Sequence, residues 1–165
     1  MKNQAFTLIE LLVVVLIIGI LAAIAVPQYQ VAVGKSKFST IKNMAKSIAE
    51  ACEVYELANG SYPKNYTDLD ISLPGVSKVE DFSAYFTIYF DNDKSCVIFY
   101  KGEKRVVCGL KINGISMSYY IWPKSNIRKC LAWSTDKNTL ANKVLQSETG
   151  YSGYLVDSYY EYPCN

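Results

Sequence analysis

Residues 6–26 read FTLIELLVVVLIIGILAAIAV, an apolar run whose sole charge is Glu10. As an α-helix rising ~1.5 Å per residue it extends roughly 30 Å, the thickness of a bilayer's hydrocarbon core. A secretory signal carries a shorter apolar region, about 7 to 15 residues, followed by a small-residue cleavage site. Ala23 and Ala25 in LAAIAVPQ leave removal at that point as the alternative to a retained membrane helix. Glu10 is the unusual residue. An acidic side chain at the centre of a membrane helix costs roughly 2.5 to 3.5 kcal/mol, and less near an end, where Glu10 lies. No Lys or Arg falls inside the run to offset it. Cutting between Ala5 and Phe6 would create the missing cation, an α-amino group at Phe6. Such an amine and the Glu10 carboxylate can pair between neighbouring copies and set their axial register.

Beyond the apolar run, Pro27 lacks an N–H and clashes with the preceding turn, so it ends or kinks a helix. The helical pattern nevertheless resumes. Phe38, Ile41, Ala45, Ile48, Cys52 and Tyr55 recur at steps of three and four, with Lys37, Lys42, Lys46, Glu50 and Glu53 largely between them. Asn59-Gly60 supplies a stop. If Pro27 only kinks the helix, residues 6–58 form one rod of roughly 80 Å. That is longer than a small head needs, and the surplus apolar surface calls for lipid or partner helices. After Ser61-Tyr62-Pro63 the period changes. Residues 83–90, 95–100, 105–110 and 115–122 are aromatic and β-branched, and short polar links such as Lys101-Gly102-Glu103-Lys104 predict an antiparallel meander. A short helix is expected over 135–145, capped by Ser134 or Thr135, before an aromatic, Gly-containing tail over 150–165.

Composition narrows the chemistry. Lys2 and Glu10 are the only charges before Pro27, so the rest of the chain keeps the whole-chain balance of +2. Such a surface gives no electrostatic case for nucleic acid. Histidine is absent, which removes the commonest general base and metal ligand and any Ser-His or Cys-His pair. No catalytic residue, metal site or cofactor is expected. A membrane-tethered enzyme is disfavoured for want of a carboxylate or nucleophile constellation. Five cysteines with no CxxC pair read as disulfides in an oxidising compartment, placing the head outside the cytoplasm.

The run from Lys2 to Ala5, followed by Phe6-Thr7-Leu8-Ile9-Glu10-Leu11 with Gly19 and Pro27 downstream, resembles the class III signal and N-terminal helix of type IV pilins and type II secretion pseudopilins. Further on, Asn59-Gly60-Ser61-Tyr62-Pro63 is similar to their helix-to-head junction. The resemblance implies an α+β pilin fold, a long kinked N-terminal helix packed on a small antiparallel sheet. Its parts would be a leader over 1–5, a membrane and filament-core helix over 6–27, an amphipathic half over 28–59 and a head over 60–165. It also implies a prepilin peptidase that cuts before Phe6 and N-methylates it, and a role for Glu10 in recruiting or registering the next subunit. Extraction from the bacterial inner membrane would use an assembly platform and ATPase, ending in a homo-oligomeric helical filament. Melting of the helix around Gly19 and Pro27 on assembly is a further expectation, in keeping with the low helix propensity of both residues. Ala5 departs from the pattern, since the family nearly always has Gly there, and slower cleavage is expected. A pilus subunit for adhesion, twitching or DNA uptake is preferred to a pseudopilin. The paired-cysteine tail and the lack of a C-terminal calcium loop favour that choice, with a minor or tip pilin as a further alternative.

The cysteine pairing stays open on residues alone. Cys96 with Cys108, on neighbouring strands, is preferred, and Cys130 with Cys164 resembles the C-terminal disulfide of many pilins. Cys52, on the apolar helix face, could displace a partner in either. Asp91, Asp93 and Ser95 imitate the opening of a calcium loop, but Cys96 and Gly102 stand where its Gly and bidentate Glu belong, and a hairpin turn is the better reading. Asn65-Tyr66-Thr67 matches a glycosylation sequon and is given no role. The 14 tyrosines are expected to pack the head or its neighbours in preference to forming an adhesive surface.

Overall fold

The computed structural model describes residues 7–91, 93–125 and 127–164. Its first element, α1 (Leu8–Asn59), is one continuous helix of 52 residues, about 78 Å long at 1.5 Å per residue. Pro27 lies inside it without ending it. The hydrogen bond lost at the imide falls on the exposed part of the helix, where no packing depends on it. Thr7 caps the N-terminus, and Gly60, at φ 68°, ends the helix in the left-handed region that glycine enters without a Cβ penalty.

The two halves of α1 have opposite environments. From Leu8 to Val26 every residue is exposed, whereas Phe38, Ile41, Ala45, Ile48 and Cys52 are fully buried against the head. This is the expected amphipathic period. Tyr55 lies only at its margin.

After a 3-10 turn at Tyr66–Asp68, eight strands form one antiparallel sheet: β1 (Val76–Asp81), β2 (Tyr85–Phe90), β3 (Lys94–Phe99), β4 (Arg105–Ile112), β5 (Ile115–Trp122), β6 (Ile127–Ala132), β7 (Tyr154–Val156) and β8 (Tyr159–Pro163). Their order is β1-β2-β3-β4-β5-β6-β8-β7. Between β6 and β7 the chain forms α2 (Leu140–Thr149). It then reaches the sheet edge as β7 and returns as β8 between β6 and β7. The α+β architecture, a long helix on an antiparallel sheet, is the one expected.

Four details differ from the sequence reading. Strand β1 was not expected, because Lys78, Glu80 and Asp81 break its apolar alternation. It is an edge strand with a register shift after Val76, so one side needs no partner. Strand β6 was hidden by Arg128 and Lys129, although Cys130 and Ala132 alternate inward to full burial. The aromatic tail forms two strands, held by pairing with β6. Helix α2 starts later than expected. Its cap is Thr139, whose hydroxyl accepts from Asn142 N–H at 3.3 Å, while Ser134 and Asp136 form a preceding turn.

The core is a single layer between α1, with α2 alongside it, and the inner sheet face. Phe86, Ile88, Ile98, Val106, Met117 and Tyr119 supply that face, each fully buried. Phe38 meets Tyr119 edge to face at 6.4 Å. Where α2 crosses α1, Gly34 permits the approach: a Cβ there would stand 2.4 Å from Val144 Cγ2.

Candidate assembly helix

The large apolar residues from Leu8 to Val26 are 45–80% exposed. Helix α1 contains a segment long and apolar enough to cross a membrane. Fully burying one such side chain is worth about 1.5–3 kcal/mol, so this surface strongly favours lipid or other helices over water.

Glu10 lies in the first turn of the helix and is engaged within its own chain. Its carboxylate accepts from the Thr7 backbone N–H at 2.8 Å and from the Thr7 hydroxyl at 2.6 Å. The Thr7 hydroxyl oxygen in turn accepts from the Glu10 N–H at 3.3 Å. This reciprocal capping box satisfies two N-terminal donors that the helix ladder leaves free, and a carboxylate is favourable at that end of the helix dipole. Sequence reasoning passed over Thr7. The signal was present, since Thr followed three residues later by Glu ahead of an apolar run is the capping-box pattern. Ala5 and Phe6, the residues of the expected cut, lie outside the described residues. Gly19 sits in the exposed part of the helix, and beyond its chain neighbours and its own helix backbone no atom of the described residues lies within 4 Å of a Cβ built on it. Both Gly19 and Pro27 are helical.

Two ion-pair clusters fasten the head to the second half of α1. Glu148 of α2 accepts from Lys42 at 3.1 Å and lies 3.9 Å from Lys35, whose ammonium also donates to the Ser147 carbonyl at 3.0 Å. Near the other end, Glu56 is bonded by Lys104 at 2.5 Å and Lys124 at 3.0 Å. Those lysines hold the Glu56 carboxyl below its ordinary range, Lys104 foremost.

A disulfide joins Cys96 to Cys108, directly opposite each other on β3 and β4, and both are fully buried. A second joins Cys130 of β6 to Cys164, across a sequence separation of 34. Cys52 is a buried free thiol. Burial pushes it up to about 12, so at neutral pH it is a packed thiol, not a nucleophile.

The remaining motifs have local roles. Asn65 accepts from the Thr67 hydroxyl at 2.6 Å and from Asp68 N–H at 3.1 Å, capping the 3-10 turn. Asp93, at φ 56°, belongs to the β2–β3 hairpin. Among the described residues no group of three His, Cys, Asp or Glu could hold a metal ion. Tyr62, Tyr119 and Tyr162 are buried, whereas Tyr151 and Tyr154 are each 55% exposed.

Comparison with known proteins follows the same division. Residues 1–26 carry the prokaryotic N-terminal methylation motif. The type II secretion system core protein G of Pseudomonas aeruginosa is 42% identical over 69 residues, spanning 42% of this chain and 49% of that protein. The type IV major pilin protein PilE1 of Neisseria gonorrhoeae is 38% identical over 72 residues, 44% of each chain. The fimbrial protein EcpC of Eikenella corrodens is 47% identical over 61 residues, 37% of this chain and 40% of its own. The chain thus spans less than half the length of these relatives.

Proposed function

We propose that the chain is a structural subunit of a type IV pilus, inserted in the bacterial inner membrane through residues 6–27 with its head outside the cytoplasm. A prepilin peptidase removes residues 1–5 and methylates the new amine at Phe6. An assembly platform and ATPase then draw the helix from lipid into the core of a homo-oligomeric filament. The role is structural, and no catalytic step is assigned to the head.

One observation carries this reading: Leu8–Val26 is a helix exposed on all sides that projects from a head already complete without it. Apolar surface of that extent is stable only in lipid or against other apolar helices. The methylation motif on the same segment supports a passage from the first environment to the second. Glu10 supports it too. Its hydrogen bonds to Thr7 keep the carboxylate solvated by its own chain in lipid, and on assembly it can pair with the amine of a neighbouring copy.

A pseudopilin of a type II secretion system is the second reading, favoured by the similarity to core protein G. The cystine-closed C-terminal region, Cys130 to Cys164, inclines the assignment to the pilus.

Mass spectrometry of the N-terminus of the native protein tests the processing. A chain beginning at N-methylated Phe6 is expected, and an intact Met1 or a start after Ala25 would sink the proposal. Glu10→Leu should insert stably and fail to assemble; normal filaments from it would refute the registering role. Deletion should abolish extended surface filaments, whereas loss of enzyme secretion with piliation intact would assign the chain to the second reading.

A further inference from the structure

Where α1 enters the head, Tyr29, Gly34 and Lys37 share one hollow with Ile112, Asn113 and Leu140. The β4–β5 turn and the start of α2 therefore stand level with residues 29–37, just beyond the apolar run that ends at Val26. Along the helix Tyr29 lies about 4–5 Å past Val26, and Gly34 about 12 Å. The headgroup layer on each side of a bilayer is roughly 5–8 Å deep. With residues 6–26 in a membrane, this end of the head is within reach of the headgroups for a lysine side chain. Tyr29, 70% exposed, then sits among them, where amphipathic aromatic rings are enriched.

Four lysines are exposed at this end: Lys37 on α1, Lys111 on β4, Lys137 in the turn before α2 and Lys143 on α2. None of them makes an ion pair among the described residues, whereas Lys35 and Lys42 both meet Glu148. Helical Cβ atoms tilt toward the N-terminus, which on α1 aims Lys37 toward the bilayer. The acid beside them is Asp136, whose carboxylate accepts from the Asn138 N–H at 2.8 Å. Asp91 and Asp93 of the β2–β3 turn and Asp157 of the β7–β8 turn lie toward the flanks of the sheet. Lys and Arg ordinarily gather on the cytoplasmic flank of a membrane segment. With the head outside the cytoplasm, Lys35, Lys37, Lys42 and Lys46 crowd the opposite flank, and Glu148 offsets only two of them. An anionic leaflet attracts lysines held next to a membrane segment, and phosphate oxygens accept from their ammonium groups. We propose that the base of the head, through Lys37, Lys111, Lys137 and Lys143, docks on the phosphates of anionic phospholipid in the leaflet it faces. The inference rests on the reading of residues 6–27 as membrane-inserted, and adds the lipid class that holds the head before assembly.

The test uses the full chain in nanodiscs of phosphatidylcholine alone or of phosphatidylcholine mixed with phosphatidylglycerol. Each lysine is acetylated by a neutral reagent, and its rate is read by mass spectrometry. Phosphatidylglycerol should slow Lys37, Lys111, Lys137 and Lys143 on the order of five-fold, as the attraction of one lysine to an anionic surface implies. Lys101, exposed in the β3–β4 turn at the other end of the sheet, is the control and should keep its rate. Molar salt should remove the difference, since it shortens the Debye length to about 3 Å. Lys111→Ser combined with Lys137→Ser, with unaltered thermal unfolding, should release Lys37 and Lys143. A mere drop in pH at the anionic surface would leave those two as slow as before. Equal rates in the two discs, an equal slowing of Lys101, or Lys37 and Lys143 still shielded in the double variant would each overturn the docking alone. A chain that enters neither disc would refute the membrane reading itself, and the docking with it.

Discussion

Replacing Gly34 with alanine gives the sharpest test of how α2 sits on α1. A Cβ at this position would lie 2.4 Å from Val144 Cγ2 and 3.5 Å from Ile112 Cδ1, where ordinary van der Waals contact begins at 3.4 Å. The first contact must therefore open by about 1 Å, and Val144 cannot swing aside. It is fully buried, and a β-branched side chain in a helix has one strongly preferred rotamer. Overpacking of this kind costs about 1–3 kcal/mol. Alanine recovers about 1 kcal/mol over glycine in a helix interior. The expected net effect of Gly34→Ala is a loss of about 0–2 kcal/mol. A double-mutant cycle removes the overlap between the two terms. Val144→Ala deletes the clashing methyl groups, so Gly34→Ala added to Val144→Ala should keep only its propensity gain, and the two changes should couple by about 1–3 kcal/mol. Urea unfolding of the full chain in micelles, followed by tryptophan emission, measures each corner. Gly19→Ala is the control, for a Cβ there meets no atom of the described residues beyond its chain neighbours and its own helix backbone, and the head transition should not move. Strict additivity, with Gly34→Ala more stable than the parent by the full propensity gain, would refute the packing described for α1 and α2.

The two disulfides should differ in weight. In the chain-entropy relation, the Cys130–Cys164 bridge, with a separation of 34, is worth about 4 kcal/mol. The Cys96–Cys108 bridge, with a separation of 12, is worth about 3 kcal/mol. Paired Cys→Ser replacement at each site, read by urea unfolding, should therefore cost more at the first, and an equal or reversed order would contradict the relation here. Glu56 gives a pH prediction. Its carboxyl is held low, first by Lys104 and then by Lys124, so its contribution is present above the unfolded value of about 4.3 and is lost as pH falls through the lower folded one. At neutral pH Glu56→Gln should cost about 1 kcal/mol, and parent and variant should converge in acid; a gap that persists there would show that the loss is not electrostatic.

How much was legible in the sequence can be argued element by element. The meander β2–β5 announced itself because its strands alternate around aromatic and β-branched residues, with turn residues such as Asp91 and Gly102 between them. Strands β1 and β6 did not, since Lys78, Glu80, Arg128 and Lys129 blur a period of two that depends on position in the sheet. The cap of α2 was misplaced because Ser134, Thr135 and Thr139 all satisfy a local capping rule. Only the turn at Asp136, whose carbonyl accepts from the Asn142 side-chain amide at 2.8 Å, selects the third.

The apolar run over 6–26, its lone Glu10 and the core stripe from Phe38 to Cys52 are set by the sequence alone. Each depends on helical spacing and side-chain polarity, which are local properties. The tertiary structure decided what depends on distant residues meeting. It placed β8 between β6 and β7, brought Gly34 against Val144, and settled which lysines neutralise Glu56 and Glu148. Charges far apart in the chain have no pairing until the fold fixes their separation.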